Sequence, residues 1–288
     1  MPIALSSPRP DKVNGPAFRT IAFLKPMVDL DGSIALVTGA SSGIGTACAR
    51  SFARAGARLV LLARSGDRLR ELQAELADDS GGACYVLPCD VRDRAAVTAA
   101  VASLPPSWSD IDVLVNNAGL SRGFDRFPDC SIEDWEEMID TNLKGLLYVT
   151  RALVPGMVAR DRGHIINIGS IAGHQTYPRG NVYCATKAAV RALSEGLKLD
   201  LLGTAVRVSS VDPGLVETNF SNVRFHGDRV QAAKTYAGMT PLTPEDIAEV
   251  VAFCASRPPH VNISEVLVIP TDQSSSTLVH RRLPDERA

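Results

Sequence analysis

The 288-residue chain carries almost no excess charge of either sign: 30 Lys and Arg stand against 32 Asp and Glu, a formal net charge of −2. That balance implies no basic face of the kind that grips a nucleic-acid backbone, and a small neutral or anionic ligand fits it better. Cysteine is sparse as well, with six residues at 48, 84, 89, 130, 184 and 254. None forms a Cys-x-x-Cys pair or joins a Cys/His cluster at metal-ligand spacing, so they read as ordinary reduced thiols and no metal site is expected. A disulfide framework is the weaker alternative, because a chain of this length with 45% hydrophobic residues can bury a full core without staples. No apolar run reaches membrane-spanning length and no secretory h-region is present, which gives the expectation of a cytoplasmic protein with no membrane partner.

The first 26 residues hold prolines at 2, 8, 10 and 16 and show no hydrophobic periodicity. They read as a disordered tail, with a cleaved organelle presequence as the lesser alternative, and a compact domain is expected over 27–288.

From Gly32 onward, short apolar runs alternate with longer helical patterns, as in parallel βαβ units. Strands are expected at 34–37, 59–62, 84–87, 111–115, 164–168, 206–211 and 266–269. Helices are expected near 44–55, 67–77, 93–103, 131–160, 181–201 and 244–255, the fourth with Ile132, Trp135, Ile139, Leu143 and Leu146 on one buried face. The pattern predicts a single α/β domain: a doubly wound, seven-stranded parallel sheet with helices on both faces. Right-handed crossovers would then place a ligand crevice at the carboxyl ends of the strands.

Three stretches fall at those ends. The first strand runs into Thr38-Gly39-Ala40-Ser41-Ser42-Gly43-Ile44-Gly45, which opens a helix. Its glycines allow a tight turn and close backbone approach to a pyrophosphate at a helix N-terminus, although a plain strand-to-helix turn is the simpler alternative. At the end of the second strand, Leu61-Leu62-Ala63-Arg64 lacks the acid that would bind adenine ribose hydroxyls. Arg64 instead offers a cationic fork to a 2′-phosphate, with Arg68 one turn on, unless both are merely solvated charges. The third stretch ends a strand at Ser170, followed by Tyr183 and Lys187, which share one helix face.

Together with Asp90-Val91, Asn116-Asn117-Ala118-Gly119, Asn142 and Pro213-Gly214, these residues resemble the classical short-chain dehydrogenase/reductase family over about 32–270. The resemblance implies a Rossmann-type domain that binds NADP(H) and transfers a hydride. It implies Tyr183 as the general base, Lys187 as the cation that lowers its pKa and binds the nicotinamide ribose, and Ser170 as the residue that hydrogen-bonds the substrate oxygen. Asn142 is implied to help hold a water that links Lys187 to solvent. The implied cofactor contacts are Gly39, Ser41, Ser42, Gly43, Ile44, Gly45, Arg64, Arg68, Asp90, Val91, Asn117, Ala118, Gly119, Tyr183, Lys187, Pro213, Gly214 and Thr218. A homotetramer is also implied.

Segments such as Asp140-Thr141-Asn142-Leu143-Lys144-Gly145-Leu146 and Phe220-Ser221-Asn222-Val223-Arg224-Phe225 are similar to those of bacterial NADP-dependent 3-hydroxy acid dehydrogenases. Members of that subgroup oxidise serine and L-allo-threonine and reduce malonic semialdehyde, which makes a small 3-hydroxy acid such as these or 3-hydroxypropionate the expected substrate. The stretch from His174 to Arg179 departs from the subgroup and is expected to line the substrate pocket. A substrate lid is expected at about 215–240. Within it Arg224 is the first candidate to meet a substrate carboxylate, unless it pairs with Asp228; Arg179 is the second. A reductase of secondary-metabolite aldehydes or ketones and a non-catalytic NADP-binding sensor are the other readings.

Overall fold

Short runs rich in Val, Ile and Leu become the strands. In the computed structural model, which describes residues 29–282, these are β1 (Ile34–Thr38), β2 (Arg58–Ala63), β3 (Cys84–Pro88), β4 (Val113–Asn116), β5 (Gly163–Ile168), β6 (Val206–Pro213) and β7 (Glu265–Val268). All pair in parallel, in the order β3-β2-β1-β4-β5-β6-β7. β1, β4 and β5 are buried at every residue, while β3 and β7 at the two edges are partly exposed. The chain winds outward from β1 to β3, crosses back to β4 beside β1, and winds outward again. That reversal leaves a crevice at the carboxyl ends of β1 and β4.

Ten helices connect the described strands: α1 (Gly43–Arg54), α2 (Gly66–Ser80), α3 (Arg94–Ala102), α4 (Pro106–Ser109), α5 (Ile132–Ile139), α6 (Leu146–Ala159), α7 (Asn181–Asp200), α8 (Phe220–Arg224), α9 (Arg229–Lys234) and α10 (Pro244–Ala255). Local chemistry fixes several starts. Asp93 and Ser131 cap α3 and α5 by accepting backbone N–H groups, and Thr243 with Asp246 forms a reciprocal capping box on α10 behind Pro244. Alternation along β1 splits the core into two layers. Ala35 and Val37 pack with Phe52 of α1 and Ile247 and Val251 of α10, whereas Leu36 packs with Val97 of α3 and Val149, Leu153 and Met157 of α6.

The expected seven-stranded, doubly wound sheet is the fold observed. The tail expected over 1–26 lies outside the described residues. The helix expected over 131–160 is found over 132–159, with one feature the sequence did not announce: its middle, Asp140–Gly145, is a π-helical turn that joins α5 to α6. The expected apolar face is also displaced, with Ile132 61% and Ile139 36% exposed. The buried face holds Met138, Thr141, Asn142 and Gly145 together with the expected Leu146. Hydrophobic periodicity missed the rest because Thr141, Asn142 and Gly145 are polar or glycine, and Gly145 is required there since a Cβ would lie 2.7 Å from Val91 Cγ2.

Polar side chains also cross the sheet. Asn116 Nδ2 donates to Thr150 Oγ1 (2.8 Å) and to Asn167 Oδ1 (2.9 Å), and Asn167 Nδ2 donates to Ser194 Oγ (2.8 Å). All four residues are buried, so this ladder ties β4 and β5 to α6 and α7 where water cannot replace a lost partner. Asn167→Ala is expected to destabilise the protein by about 2–4 kcal/mol, because it strands donors and acceptors on both neighbours. Urea denaturation reads this directly, and a loss below about 1 kcal/mol would show that the ladder is not structural.

Candidate active site

The glycine-rich turn after β1 is locked to the segment after β4. Thr38 Oγ1 accepts the N–H groups of Asn117 and Ala118, both at 3.0 Å, and Asn117 Nδ2 donates to Thr38 O at 2.9 Å. Gly39 has φ +66, and a Cβ there would stand 2.9 Å from Asn117 Nδ2, so only glycine fits. Ser42 caps α1 in extended geometry without a side-chain hydrogen bond, so the helix N-terminus keeps backbone donors available for an anion. Gly39, Ser41, Ser42, Gly43 and Ile44 line one cleft of about 770 Å³ together with Asn117, Ala118 and Gly119. Gly45 does not line it. Its missing side chain lets α1 pack against Gly39 O and Asn117.

Arg64, Arg68, Asp90 and Val91 form the outer end of the cleft. Arg64 and Arg68 are exposed and have no hydrogen bond or ion pair among the described residues, so both guanidinium groups are available. Asp90 is bound by Arg92, whose Nη2 lies 2.6 Å from Oδ2, and this contact holds the carboxyl below its usual pKa. Arg92 was not picked out from the sequence, although its place two residues after Asp90 was the available signal. It pairs with the only carboxylate that lines the cleft among the described residues.

Ser170, Tyr183 and Lys187 meet on the inner wall. Ser170 follows β5, and its Oγ accepts from Ala172 N (3.1 Å) and donates to Pro213 O (3.4 Å). Tyr183 and Lys187 project from one face of α7 and are both buried. Lys187 Nζ lies 6.0 Å from the Tyr183 ring centre and donates to Ile168 O at 2.8 Å. Burial pushes the Tyr183 phenol up, helped by Tyr177, while Arg224 and the Ser170 hydroxyl pull it down. Burial also lowers Lys187 to about 8, against the charge of Asp212. Asn142 lies in the π-helical turn, where its side chain accepts from Leu120 N and donates to Leu120 O, both at 2.8 Å, and to Thr186 Oγ1 at 3.1 Å. That side chain therefore clamps the loop after β4 onto α7.

The divergent stretch does not line the cleft as a whole. Tyr177 and Arg179 face the cleft, but His174 turns behind it, with Nε2 2.7 Å from the buried Asp212 Oδ2. Three successive residues of β6 thus hold the serine turn: Val211 O accepts from Gly169 N, Asp212 pairs with His174, and Pro213 O accepts from Ser170. His174, Asp212 and Glu265 bring one donor atom each within 4.8 Å, but these donors are engaged with one another and with Arg191.

Arg224 does not pair with Asp228, which instead caps α9 through Val230 N and Gln231 N. Its guanidinium sits 5.2 Å from the Tyr183 ring centre, with Nη2 2.6 Å from Tyr177 Oη and Nε 3.0 Å from Ser121 Oγ. Phe124 and Phe220 complete an aromatic frame around it. Pro213, Gly214 and Thr218 line the cleft from the far side. The C-terminal segment lines it too, through Gln273, Ser276, Thr277, Val279 and Arg281. The sequence carried no signal for that segment, which is placed by tertiary bonds such as Gln273 Oε1 to Leu215 N (2.9 Å) and Ser276 N to Gln175 Oε1 (3.0 Å).

The profile of the short chain dehydrogenase family matches residues 33–228. The chain is 53% identical over 251 residues to the NADP-dependent 3-hydroxy acid dehydrogenase YdfG of Escherichia coli, covering 86% of this chain and 100% of that protein. It is 43% identical over 257 residues to the NADP-dependent 3-hydroxy acid dehydrogenase of Schizosaccharomyces pombe, covering 89% and 99% of the two chains. Among solved structures, the closed form of serine dehydrogenase complexed with NADP+ superposes with a TM-score of 0.82 at 52% identity, over 86% of this chain and all of that one. The chain therefore belongs to the short-chain dehydrogenase family.

Proposed function

We propose that the chain is an NADP(H)-dependent oxidoreductase that interconverts a small 3-hydroxy acid and its carbonyl, with serine, L-allo-threonine and 3-hydroxypropionate as the first candidates. The observation that supports this most is the placement of Arg224 against Tyr183, because it sets a cation suited to a carboxylate beside the reacting oxygen. The cleft suits a dinucleotide at each point where it would make contact. The turn at Gly39 has no room for a side chain, the first turn of α1 keeps free donors, and two unpaired arginines stand at the outer end. Among the described residues no helix is long and apolar enough to cross a membrane. A cytoplasmic homotetramer completes the proposal, with the exposed Ile132, Ile139 and Leu147 of α5 and α6 and Leu199 of α7 as its contact surface. Residues 215–240 act as the substrate lid.

When bound, NADP(H) would accept or supply the hydride. The chain holds the alcohol and moves its proton. Ser170 fixes the substrate oxygen, and Tyr183 removes the hydroxyl proton as the C–H bond breaks with its electron pair. A tyrosine base near neutrality needs its pKa lowered, whereas burial raises it here. Arg224 is the cation that opposes burial, 5.2 Å from the ring centre, and Lys187 stands 6.0 Å from the same centre. Asp212 keeps Lys187 charged against its own desolvation.

A screen following NADPH absorbance tests the proposal; turnover confined to bulky hydrophobic ketones, with none on 3-hydroxy acids, would overturn it. Arg64→Ala is expected to weaken NADP+ binding by about 1.5–3 kcal/mol with little change for NAD+, as measured by calorimetry. Equal losses for the two cofactors would remove Arg64 from the 2′-phosphate site. Tyr183→Phe should lower kcat at least about 10²-fold while NADPH still binds. Arg224→Ala should reduce kcat/KM for 3-hydroxybutyrate by about 10²-fold, with a much smaller loss on an uncharged alcohol. Parallel losses would reassign Arg224 to holding the lid.

A further inference from the structure

Arg179 occupies a backbone position that suits glycine. Its φ is +68, one of three such non-glycine values among the described residues. The side chain is exposed at the cleft and has no hydrogen bond or ion pair among the described residues. Its guanidinium carbon lies 5.8 Å from the centre of the Phe124 ring, and that of Arg224 lies 6.0 Å from the same centre. The two cations are thus at most about 12 Å apart, with one aromatic ring as their common neighbour.

The charge of this half of the cleft is one-sided. Lys234 and Arg281 also line it, and among the described residues no Asp or Glu does, since their only lining carboxylate is Asp90 at the other end. Arg281 is engaged with the carbonyls of Ala237 and Thr235. Arg224 is already enough for a single carboxylate. Arg179 is then a second cation, flanked on one side by Phe124, with no ion-pair partner among the described residues.

We infer that the cleft selects hydroxy acids bearing a second carboxylate, and that Arg179 holds this second group while Arg224 holds the first. This rests on the 3-hydroxy acid reading above and adds to it a preference for hydroxydicarboxylates over the monocarboxylates. A bidentate contact from each guanidinium would fix both ends of such a molecule and so orient the hydroxyl-bearing carbon between them.

The test compares kcat/KM for butane-1,3-diol, 3-hydroxybutyrate, 3-hydroxyglutarate and 3-hydroxyadipate with NADP+ in the full chain and in Arg179→Gln, Arg179→Lys and Arg179→Gly. In the wild type at least one dicarboxylate should exceed 3-hydroxybutyrate by about tenfold or more, the worth of one charge-assisted contact. Arg179→Gln should cut that ratio about tenfold, and Arg179→Lys should restore part of it. Arg179→Gly should lose the ratio equally while keeping or raising the melting temperature, since glycine relieves the left-handed backbone, which separates recognition from unfolding. An unchanged ratio in Arg179→Gln, or a wild type that prefers 3-hydroxybutyrate over both dicarboxylates, would overturn the inference. If instead the wild type handles butane-1,3-diol as well as 3-hydroxybutyrate, the hydroxy-acid reading itself fails, which is a different outcome from the loss of the dicarboxylate preference alone.

Discussion

The hydrogen-bonded lock between Thr38 and the Asn117–Ala118 segment is the constraint on which the site depends. β1 and β4 are adjacent in the sheet although 74 residues lie between the end of β1 at Thr38 and the start of β4 at Val113, and their carboxyl ends diverge where the winding reverses. A crevice opened by topology alone would have loose walls. Here one hydroxyl accepts two backbone N–H groups and one amide returns a bond to the opposite strand, so the two lips are held at fixed separation. Because those groups are partly buried, the lock is not freely exchanged for water. The narrow turn at Gly39 and the tight packing at Gly45 are consequences of this proximity.

A second constraint is the burial of charge. Tyr183 and Lys187 are both enclosed, and enclosure disfavours the ionised form of each. The structure compensates with charges placed nearby: Asp212 behind Lys187 and Arg224 over Tyr183. Asp212 is itself stabilised by His174 and Ser210, at 2.7 and 2.6 Å. A low-dielectric site magnifies each of these terms, so the residues that tune the phenol extend past the three that define the family. His174 is an example, reaching the site through Asp212 without touching the cleft.

The substrate side is assembled from distant pieces. Phe124 follows β4, Tyr177 and Arg179 precede α7, Arg224 ends α8, and Arg281 lies near the C-terminus of the described chain. Bonds to backbone carbonyls join them: Gly123 N donates to Arg224 O (2.9 Å), the Arg122 side chain through Nη1 to Val223 O (2.8 Å) and Arg282 N to Gly238 O (2.7 Å). The substrate side is therefore built from loops held by a rigid sheet, where a residue can change without disturbing the core.

The amino-acid sequence by itself determined the sheet, the cofactor turn and the Ser170, Tyr183 and Lys187 set. These rest on local rules: apolar runs for buried strands, glycine where backbones approach closely, and a spacing of four along a helix. The π-helical turn at Asp140–Gly145 was not legible, because its buried face carries Thr141, Asn142 and Gly145 in place of an apolar stripe. Nor were the turning away of His174, the placement of Arg224 over Tyr183, or the C-terminal wall of the cleft. Each of these depends on a partner 38 or more residues away, as His174 does on Asp212, Arg224 on Tyr177 and Gln273 on Leu215. Only the folded chain brings such residues together, and at those contacts it is packing and partner geometry, with no pattern in the sequence to announce them, that decide what each side chain does.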